Sequence, residues 1–106
     1  MGYDLHITRA TFWPRSSAKP ITRDEWRSYV LMDSTIQADP LNGPDDFLFV
    51  EHPNGPAPLW WYDGRIDTKN PDDPMISKLC EIAQVLQANL IGDEEETYCK
   101  ERAKPG

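Results

Sequence analysis

Three short β-prone runs, separated by turn residues, occupy the middle of the chain and constrain its fold more than any other feature. They span residues 47–50, 59–62 and 65–69. Proline and glycine interrupt the chain between the first two runs, and Asp63-Gly64 between the last two is a hairpin signal. Such short connections favour antiparallel neighbours. The segment therefore predicts a three-stranded antiparallel meander.

A capping box predicts the first helix. Thr22 is followed three residues later by Glu25, so each side chain is placed to bond the backbone N–H of the other residue. Trp26 and Tyr29 then recur at helical spacing on one face. This pattern predicts a helix over residues 23–32.

The second helix is predicted to begin in the proline-rich stretch that follows the meander. Asn70 or Asp73 is the expected cap, because a proline follows each of them. Apolar residues then continue at spacings of three and four, as on the buried face of a helix. They are Met75, Ile76, Leu79, Ile82, Ala83 and Leu86.

Strands are also expected near both ends of the chain. Residues 3–9 alternate with His6 on the polar side, and residues 90–91 and 96–98 are short strand candidates. The expected order is β-α-β-β-β-α-β. The sequence therefore predicts one α+β domain over residues 1–106, with a mostly antiparallel sheet of about five strands and two helices packed on one face.

The negative charge of the chain is concentrated in its middle. The net charge is −7, and residues 39–73 carry eight acidic and two basic side chains. Such a field repels nucleic acid and anionic lipid and attracts basic protein surfaces. An acidic face that serves only solubility is the alternative interpretation. The charge therefore predicts a basic protein partner, and neither nucleic acid nor a membrane.

The chain carries no recognisable targeting signal. The N terminus has neither a basic region nor an apolar stretch, and no run reaches transmembrane length. Cys80 and Cys99 are too few for a disulfide framework, and Cys80 is expected to be an inert, partly buried thiol. These features predict a soluble cytoplasmic protein.

No pattern for catalysis, metal binding or a cofactor is found in the sequence. His6 and His52 lie far apart without a second ligand at helical spacing, and His6 is expected to face solvent or a neighbouring loop. Phosphate-loop, dinucleotide and serine-nucleophile motifs are missing. The carboxylate pairs at residues 45–46 and 72–73 suit loops or caps, and Asp63 suits a turn. We therefore expect no metal, no cofactor and no enzymatic activity.

The aromatic run at residues 59–62 bears most directly on function. Strand alternation places Trp61 on one face, and Trp60 and Tyr62 on the other. Both faces of this strand are therefore apolar, whereas two helices on one side cover only one of them.

Two alternatives follow for the face that the helices leave uncovered. The loops at residues 10–20 and 34–46 cover it, or it carries an exposed aromatic patch. An exposed patch rimmed by carboxylates would be a protein-binding surface. The predicted partner-binding residues are Asp45, Asp46, Trp60, Trp61, Tyr62, Asp63 and Asp67.

Several motifs are spread along the chain. It opens on Tyr3-Asp4-Leu5-His6-Ile7-Thr8-Arg9 and later carries Lys69-Asn70-Pro71-Asp72, with Trp26, Trp61 and Gly92-Asp93 as further markers. With these motifs the chain resembles a family of small uncharacterised bacterial proteins over nearly its whole length. The resemblance implies no catalytic residues. By analogy, small acidic proteins of this kind resemble immunity proteins, which neutralise secreted bacterial toxins.

The leading hypothesis is a non-enzymatic acidic binding protein, narrowed by the analogy to an immunity or inhibitor protein that neutralises a basic bacterial toxin. A small enzyme or ligand-binding domain is the alternative, and it requires a pocket where polar groups such as His6, Arg9 or Asp63 converge. The third hypothesis is a homo-oligomeric scaffold subunit, such as a homodimer, that uses the aromatic face on itself.

Overall fold

The computed structural model describes residues 4–10, 13–39, 41, 43, 46–53, 55–93 and 97–99. Its helices are α1, Arg23–Met32, and α2, Asp73–Val85, and a 3₁₀ segment spans Trp13–Ala18. Its strands are β1 Asp4–Thr8, β2 Ile36–Ala38, β3 Asp46–Phe49, β4 Ala57–Tyr62, β5 Arg65–Lys69, β6 Asn89–Gly92 and β7 Thr97–Tyr98. They form one antiparallel sheet in the order β2-β3-β4-β5-β1-β6-β7. The predicted α+β class is confirmed.

The predicted meander is observed as β3, β4 and β5, which pair in sequence order. Its last turn has Asp63 at φ 53° and Gly64 at φ 85°. Positive φ at both central residues is the geometry of a type I′ hairpin, which the Asp-Gly pair favours.

The prediction of irregular structure throughout residues 34–46 is wrong, because Ile36–Ala38 forms the edge strand β2. Ile36 lies opposite Phe49 of β3. Three residues are too few to show alternation, so pairing with β3 rather than local pattern defines this strand. The strands predicted at the two ends are β1, β6 and β7, and residues 3 and 96 of those predictions lie outside the described residues.

Gly64 is expected to tolerate no side chain. An alanine Cβ there would lie 2.8 Å from the Cβ of Pro20 and 3.0 Å from the carbonyl oxygen of Ser16. Gly55 is the matched control, because its φ of 107° is also positive but nothing lies within 4 Å of an added Cβ. We expect Gly55→Ala to lower the free energy of unfolding by about 1 kcal/mol, and Gly64→Ala by about 2–4 kcal/mol, in urea titrations. Equal losses would mean that backbone conformation alone sets the effect.

Helix α1 begins and ends where the sequence predicts. The Thr22 hydroxyl accepts the backbone N–H of Glu25 at 3.1 Å, and the Glu25 carboxylate accepts the N–H of Thr22 at 2.9 Å. These two bonds confirm the predicted capping box. Trp26 and Tyr29 are buried, as their spacing predicts.

The cap of α2 is Asp72, so the prediction of Asn70 or Asp73 is wrong. The Asp72 carboxylate accepts the N–H of Met75 at 3.2 Å from an extended backbone. Asp73 is already the first helical residue, and Asn70 lies at φ 50° directly after β5. Pro74 therefore occupies the second helical position, where the missing N–H has no intrahelical partner to lose.

Both helices pack on one face of the sheet, as predicted. On that face Leu5, Leu59 and Ile66, from three adjacent strands, are buried. The Trp26 ring meets the Phe47 ring edge-on, with 5.7 Å between ring centroids. The helices contribute Trp26, Tyr29, Met75, Leu79, Ile82 and Ala83 to this core.

Candidate functional site

The face of the sheet opposite the helices, which we call the second face, carries most of the residues singled out from the sequence. One row across it runs through Asp46 of β3, Trp60 of β4, Asp67 of β5, His6 of β1 and Ile91 of β6, each opposite the next in register. Directly opposed residues point to the same face of a sheet. The row therefore brings an aromatic side chain beside two carboxylates and a histidine.

The middle of the second face is covered. His6 is 3% exposed and Ile91 is 1% exposed. The 3₁₀ segment Trp13–Ala18 contacts β1 and β5, and its Ser16 is buried. Of the two alternatives left by the sequence, cover by the loop at residues 10–20 therefore applies to this part of the face.

The β4 end of the second face is accessible. Tyr62 is 63% exposed and Trp60 is half-buried. The loop at residues 34–46 was the second segment expected to cover this face. Its residues 36–38 instead extend the sheet as β2. We call Trp60 and Tyr62 the aromatic strip. An exposed aromatic patch is therefore present at this end of the face.

Acidic side chains flank the aromatic strip. Asp46 is half-buried on β3 opposite Trp60, and the side chain of Asp63, in the turn after Tyr62, is 45% exposed. The guanidinium of Arg65 lies over the Tyr62 ring, 5.1 Å from its centroid. The strip thus combines a large apolar surface with nearby negative charge.

Trp61 does not belong to the strip, although the sequence analysis included it among the partner-binding residues. Its indole N–H donates to the carbonyl of Ile21 at 2.8 Å, and the guanidinium of Arg23 lies 5.3 Å from the ring centroid. Strand alternation points the Trp61 side chain toward the helices. Its bond with Ile21 there packs the segment before α1 against the sheet. Asp45 lies outside the described residues.

A partly buried charge network lies beside the strip. Of the two predicted environments for His6, solvent is wrong and a neighbouring loop is correct, because His6 is 3% exposed and contacts Asp93 in the turn after β6. The His6 Nδ1 lies 2.7 Å from Asp67 Oδ1, and its Nε2 lies 2.9 Å from Asp93 Oδ1. The Nε of Arg65 donates to both Asp67 oxygens, at 3.0 and 3.1 Å. The backbone N–H of Asp4 donates to Asp93 Oδ2 at 3.0 Å.

The network favours a positively charged imidazole. Burial lowers the pKa of His6, but hydrogen bonds with Asp67 and Asp93, together with their negative charge, outweigh it and hold that pKa above the usual 6.5. Burial raises the pKa of Asp93, but the N–H of Asp4 and the charge of His6 hold it below its usual range. Because both ring nitrogens face carboxylates, His6 suits a fixed cation better than a general base.

A second buried ion pair joins the two helices. The Nζ of Lys78 on α2 donates to the carboxylate of Asp33, the cap that ends α1, at 2.6 Å. Their side chains are 7% and 11% exposed. Asp33 also accepts from the hydroxyl of Tyr29 at 2.6 Å and from that of Thr35 at 2.6 Å. This pair was not predicted from the sequence, although Lys78 lies three residues after Met75 on the buried face of α2.

Cys80 and Cys99 form a disulfide, which corrects the expectation of an inert thiol at Cys80. Their Cα atoms are 5.7 Å apart. Cys80 lies on the buried face of α2, and Cys99 directly follows β7. Sheet pairing between β6 and β7 brings the end of β7 to the helix, and spacing along the chain carries no sign of this approach.

The three polar residues proposed for an alternative pocket do not converge. His6 belongs to the buried network, whereas Arg9 forms two bonds with the Glu25 carboxylate, at 2.8 and 2.9 Å, and also donates to the carbonyl of Leu86. Asp63 lies in the β4–β5 turn. A cleft of about 450 Å³ between α1 and α2 includes Arg9 and Glu25 in its lining. The Arg9 bond also lowers the pKa of Glu25 to about 2.

Within the described part of the chain, no group of three or more His, Cys, Asp or Glu side chains is arranged to hold a metal ion. Over the same residues, neither helix is long and apolar enough to cross a membrane. Comparisons with protein-family models, curated proteins and solved structures found no match to this chain.

Proposed function

We propose that this chain is a non-enzymatic binding protein and that its partner is a basic protein docking on the aromatic strip. The observation that carries the proposal is the exposure of Tyr62, at 63%, beside the half-buried Trp60 on an accessible end of the sheet. Tyrosine and tryptophan in such positions supply the buried anchors of protein interfaces.

The charge around the strip supports a basic partner. The positive charges of His6 and Arg65 are matched by Asp67 and Asp93 within the buried network. Asp63 also lies 4.0 Å from Arg65, so these two cations face four carboxylates once Asp46 and Asp63 are included, and the net charge of the six side chains is negative. Such charge speeds the association of an oppositely charged protein, whereas buried aromatic contacts slow its dissociation.

The proposed surface is smaller than the one predicted from the sequence. The Asp67 side chain is only 17% exposed and is already held by Arg65 and His6. We assign Asp67 the role of orienting strand β5 beside the strip. Direct contact with the partner is assigned to Trp60, Tyr62, Asp46 and Asp63.

The immunity or inhibitor role is the narrower form of the proposal, and it rests on the resemblance noted in the sequence. A basic toxin domain, such as a nuclease, would match the charge of the strip. A toxin gene directly upstream of the coding sequence would support this role. The cytoplasmic location also rests on the sequence alone, and the disulfide weighs against it, because disulfides persist mainly in oxidising compartments.

Kinetic measurements on the captured partner test the proposed surface. A partner is first isolated with the immobilised protein from the native organism, identified by mass spectrometry and purified. We expect Tyr62→Ala to speed its dissociation and weaken affinity by roughly 30-fold, about 2 kcal/mol. The combined change Asp46→Asn and Asp63→Asn is expected to slow association and reduce its dependence on salt.

Val85→Ala is the matched control for these variants, because Val85 is 59% exposed but lies on α2, across the molecule from the strip. Thermal melts accompany each measurement, so that loss of folding is not mistaken for loss of binding. A partner whose affinity responds to Val85→Ala and ignores the strip variants would place the interface elsewhere.

A further inference from the structure

The edge of the sheet at β7 combines a short strand with a covalent attachment. Among the described residues, strand β7 comprises Thr97 and Tyr98, which pair with Ile91 and Leu90 of β6. Cys99, the next residue, is bonded to Cys80 of α2. We propose that this disulfide is a redox-controlled clamp, which holds β7 on the sheet when oxidised and releases it when reduced.

The short pairing of β7 with β6 supports the proposal that β7 stays on the sheet only while the disulfide is intact. The central strand β1 pairs along four residues with each of its neighbours, β5 and β6. A two-residue pairing supplies few ladder hydrogen bonds against the entropy of ordering the segment. The covalent bond keeps β7 close to β6 and so removes most of that entropic penalty.

The backbone at Cys99 also favours release. Its φ is 69°, in the left-handed region that residues with a side chain rarely adopt. The disulfide holds Cys99 beside α2 in this conformation. Once the bond is broken, Cys99 is free to return to the extended region, and the strain becomes a contribution toward opening.

The two cysteine residues differ in exposure. Cys80 is 5% exposed, whereas Cys99 is half-buried at the end of the described edge strand. A dithiol reductant of the thioredoxin class therefore attacks Cys99 Sγ with its thiolate, and the S–S bond breaks with Cys80 leaving as a thiolate. The second thiol of the reductant then displaces Cys99. Two electrons and two protons pass to the cysteine pair, and the reductant leaves as a disulfide.

The opening is confined to one edge of the sheet. Tyr98 and Cys99 pack against the same core that contains Cys80, so release of β7 uncovers part of that core. Leu5, Leu59 and Ile66 of the core lie on strands β1, β4 and β5, which pair with one another in the sheet without β7. Release of β7 leaves the outer edge of β6 unpaired, and an unpaired edge accepts another strand. This edge lies on the far side of β1 from the aromatic strip, so the clamp is independent of the proposed partner surface.

Nuclear magnetic resonance of the full chain tests the clamp. Spectra are compared for the oxidised protein, for protein treated with thioredoxin, its reductase and NADPH, and for the double variant Cys80→Ser and Cys99→Ser. We expect the reduced and double-variant proteins to lose the cross-strand contacts Leu90–Tyr98 and Ile91–Thr97. The contacts between β1 and β5, such as His6–Asp67, are expected to remain unchanged.

Four results would overturn the proposal. Loss of all cross-strand contacts on reduction would make the bond a general staple of the fold, and retention of the β6–β7 contacts would show that β7 needs no clamp. Resistance of the folded protein to thioredoxin would show that the bond is not reduced in this way. Full alkylation of both cysteines without prior reduction would show that they form no disulfide. None of these results depends on the identity of a binding partner.

Discussion

Asp33→Ala is expected to lower the free energy of unfolding by about 3 kcal/mol, because it removes the nearest counter-charge of the buried Lys78 ammonium group and leaves it only Glu81, which lies 3.4 Å away and is 59% exposed. Lys78 is 7% exposed, so water replaces the lost carboxylate poorly. The same change also removes the acceptor of the hydroxyl groups of Tyr29 and Thr35. Chemical denaturation at neutral pH measures this loss directly.

A double-mutant cycle separates the pair from its surroundings. Lys78→Met alone completes the cycle. Adding Lys78→Met to Asp33→Ala removes the poorly compensated charge and replaces it with an apolar side chain of similar length, so the part of the stability lost through the ion pair is expected to return, whereas the loss at the Tyr29 and Thr35 hydroxyls remains. Burial raises the pKa of Asp33, but its bonds with Lys78, Thr35 and Tyr29 hold that pKa well below the usual range. If Asp33→Ala and the double variant were equally unstable, the ion pair would not explain the loss.

His6→Leu is expected to destabilise the protein by about 2–3 kcal/mol at pH 6, because it removes the cation between Asp67 and Asp93. Arg65 still compensates Asp67 in the variant, which keeps the loss below that of Asp33→Ala. The structural consequence is local, since the affected bonds join β1 to β5 and to the turn after β6.

The stability difference between wild type and His6→Leu is expected to depend on pH with a definite sign. The pKa of His6 is raised in the folded state, so its contribution is fully present below the unfolded value of about 6.5. That contribution is lost as pH rises through the folded pKa, and the difference between the two proteins shrinks. Urea titrations from pH 5.5 to 9, with an NMR titration of His6, measure both quantities.

Asp46→Asn is the matched control for the His6 titration. Asp46 lies in the same row, but Trp60 and Asp67 separate it from His6. We expect this change to leave the titration of His6 nearly unaltered, because charges at this separation are largely screened. A His6 pKa below 6.5 in the wild-type protein, or a stability difference that grows with pH, would contradict the charged state assigned to the network.

Strand β5 of the charge network lies directly beside strand β4 of the aromatic strip, and this connection bears on the proposed function. Asp67 lies opposite Trp60 on one side and opposite His6 on the other. Arg65 bonds Asp67 and also lies over the Tyr62 ring. The network therefore packs beside the strip on the same face of the sheet. A His6 variant can change partner binding through altered packing of the strip as well as through altered contact with the partner.

Local sequence signals predicted the elements that are stabilised by residues close together in the chain. The Thr22–Glu25 capping box and the Asp63-Gly64 turn each involve residues within three positions of one another. Alternation also placed Trp60 and Trp61 on opposite faces correctly, because side-chain direction along a strand has a period of two. The cap at Asp72 was missed because three neighbouring polar residues all had the chemistry of a cap.

Only the tertiary structure decided the environment of each residue. The partners of His6, Lys78 and Cys80 lie 61, 45 and 19 positions away along the chain, so no local pattern encodes them. The short strand β2 exists because β3 offers it a partner, and Tyr62 is accessible because the first loop covers the middle of the second face and not its β4 end. Periodicity determines which face of a helix or sheet a side chain points to. Long-range packing determines whether other residues or solvent surround that side chain.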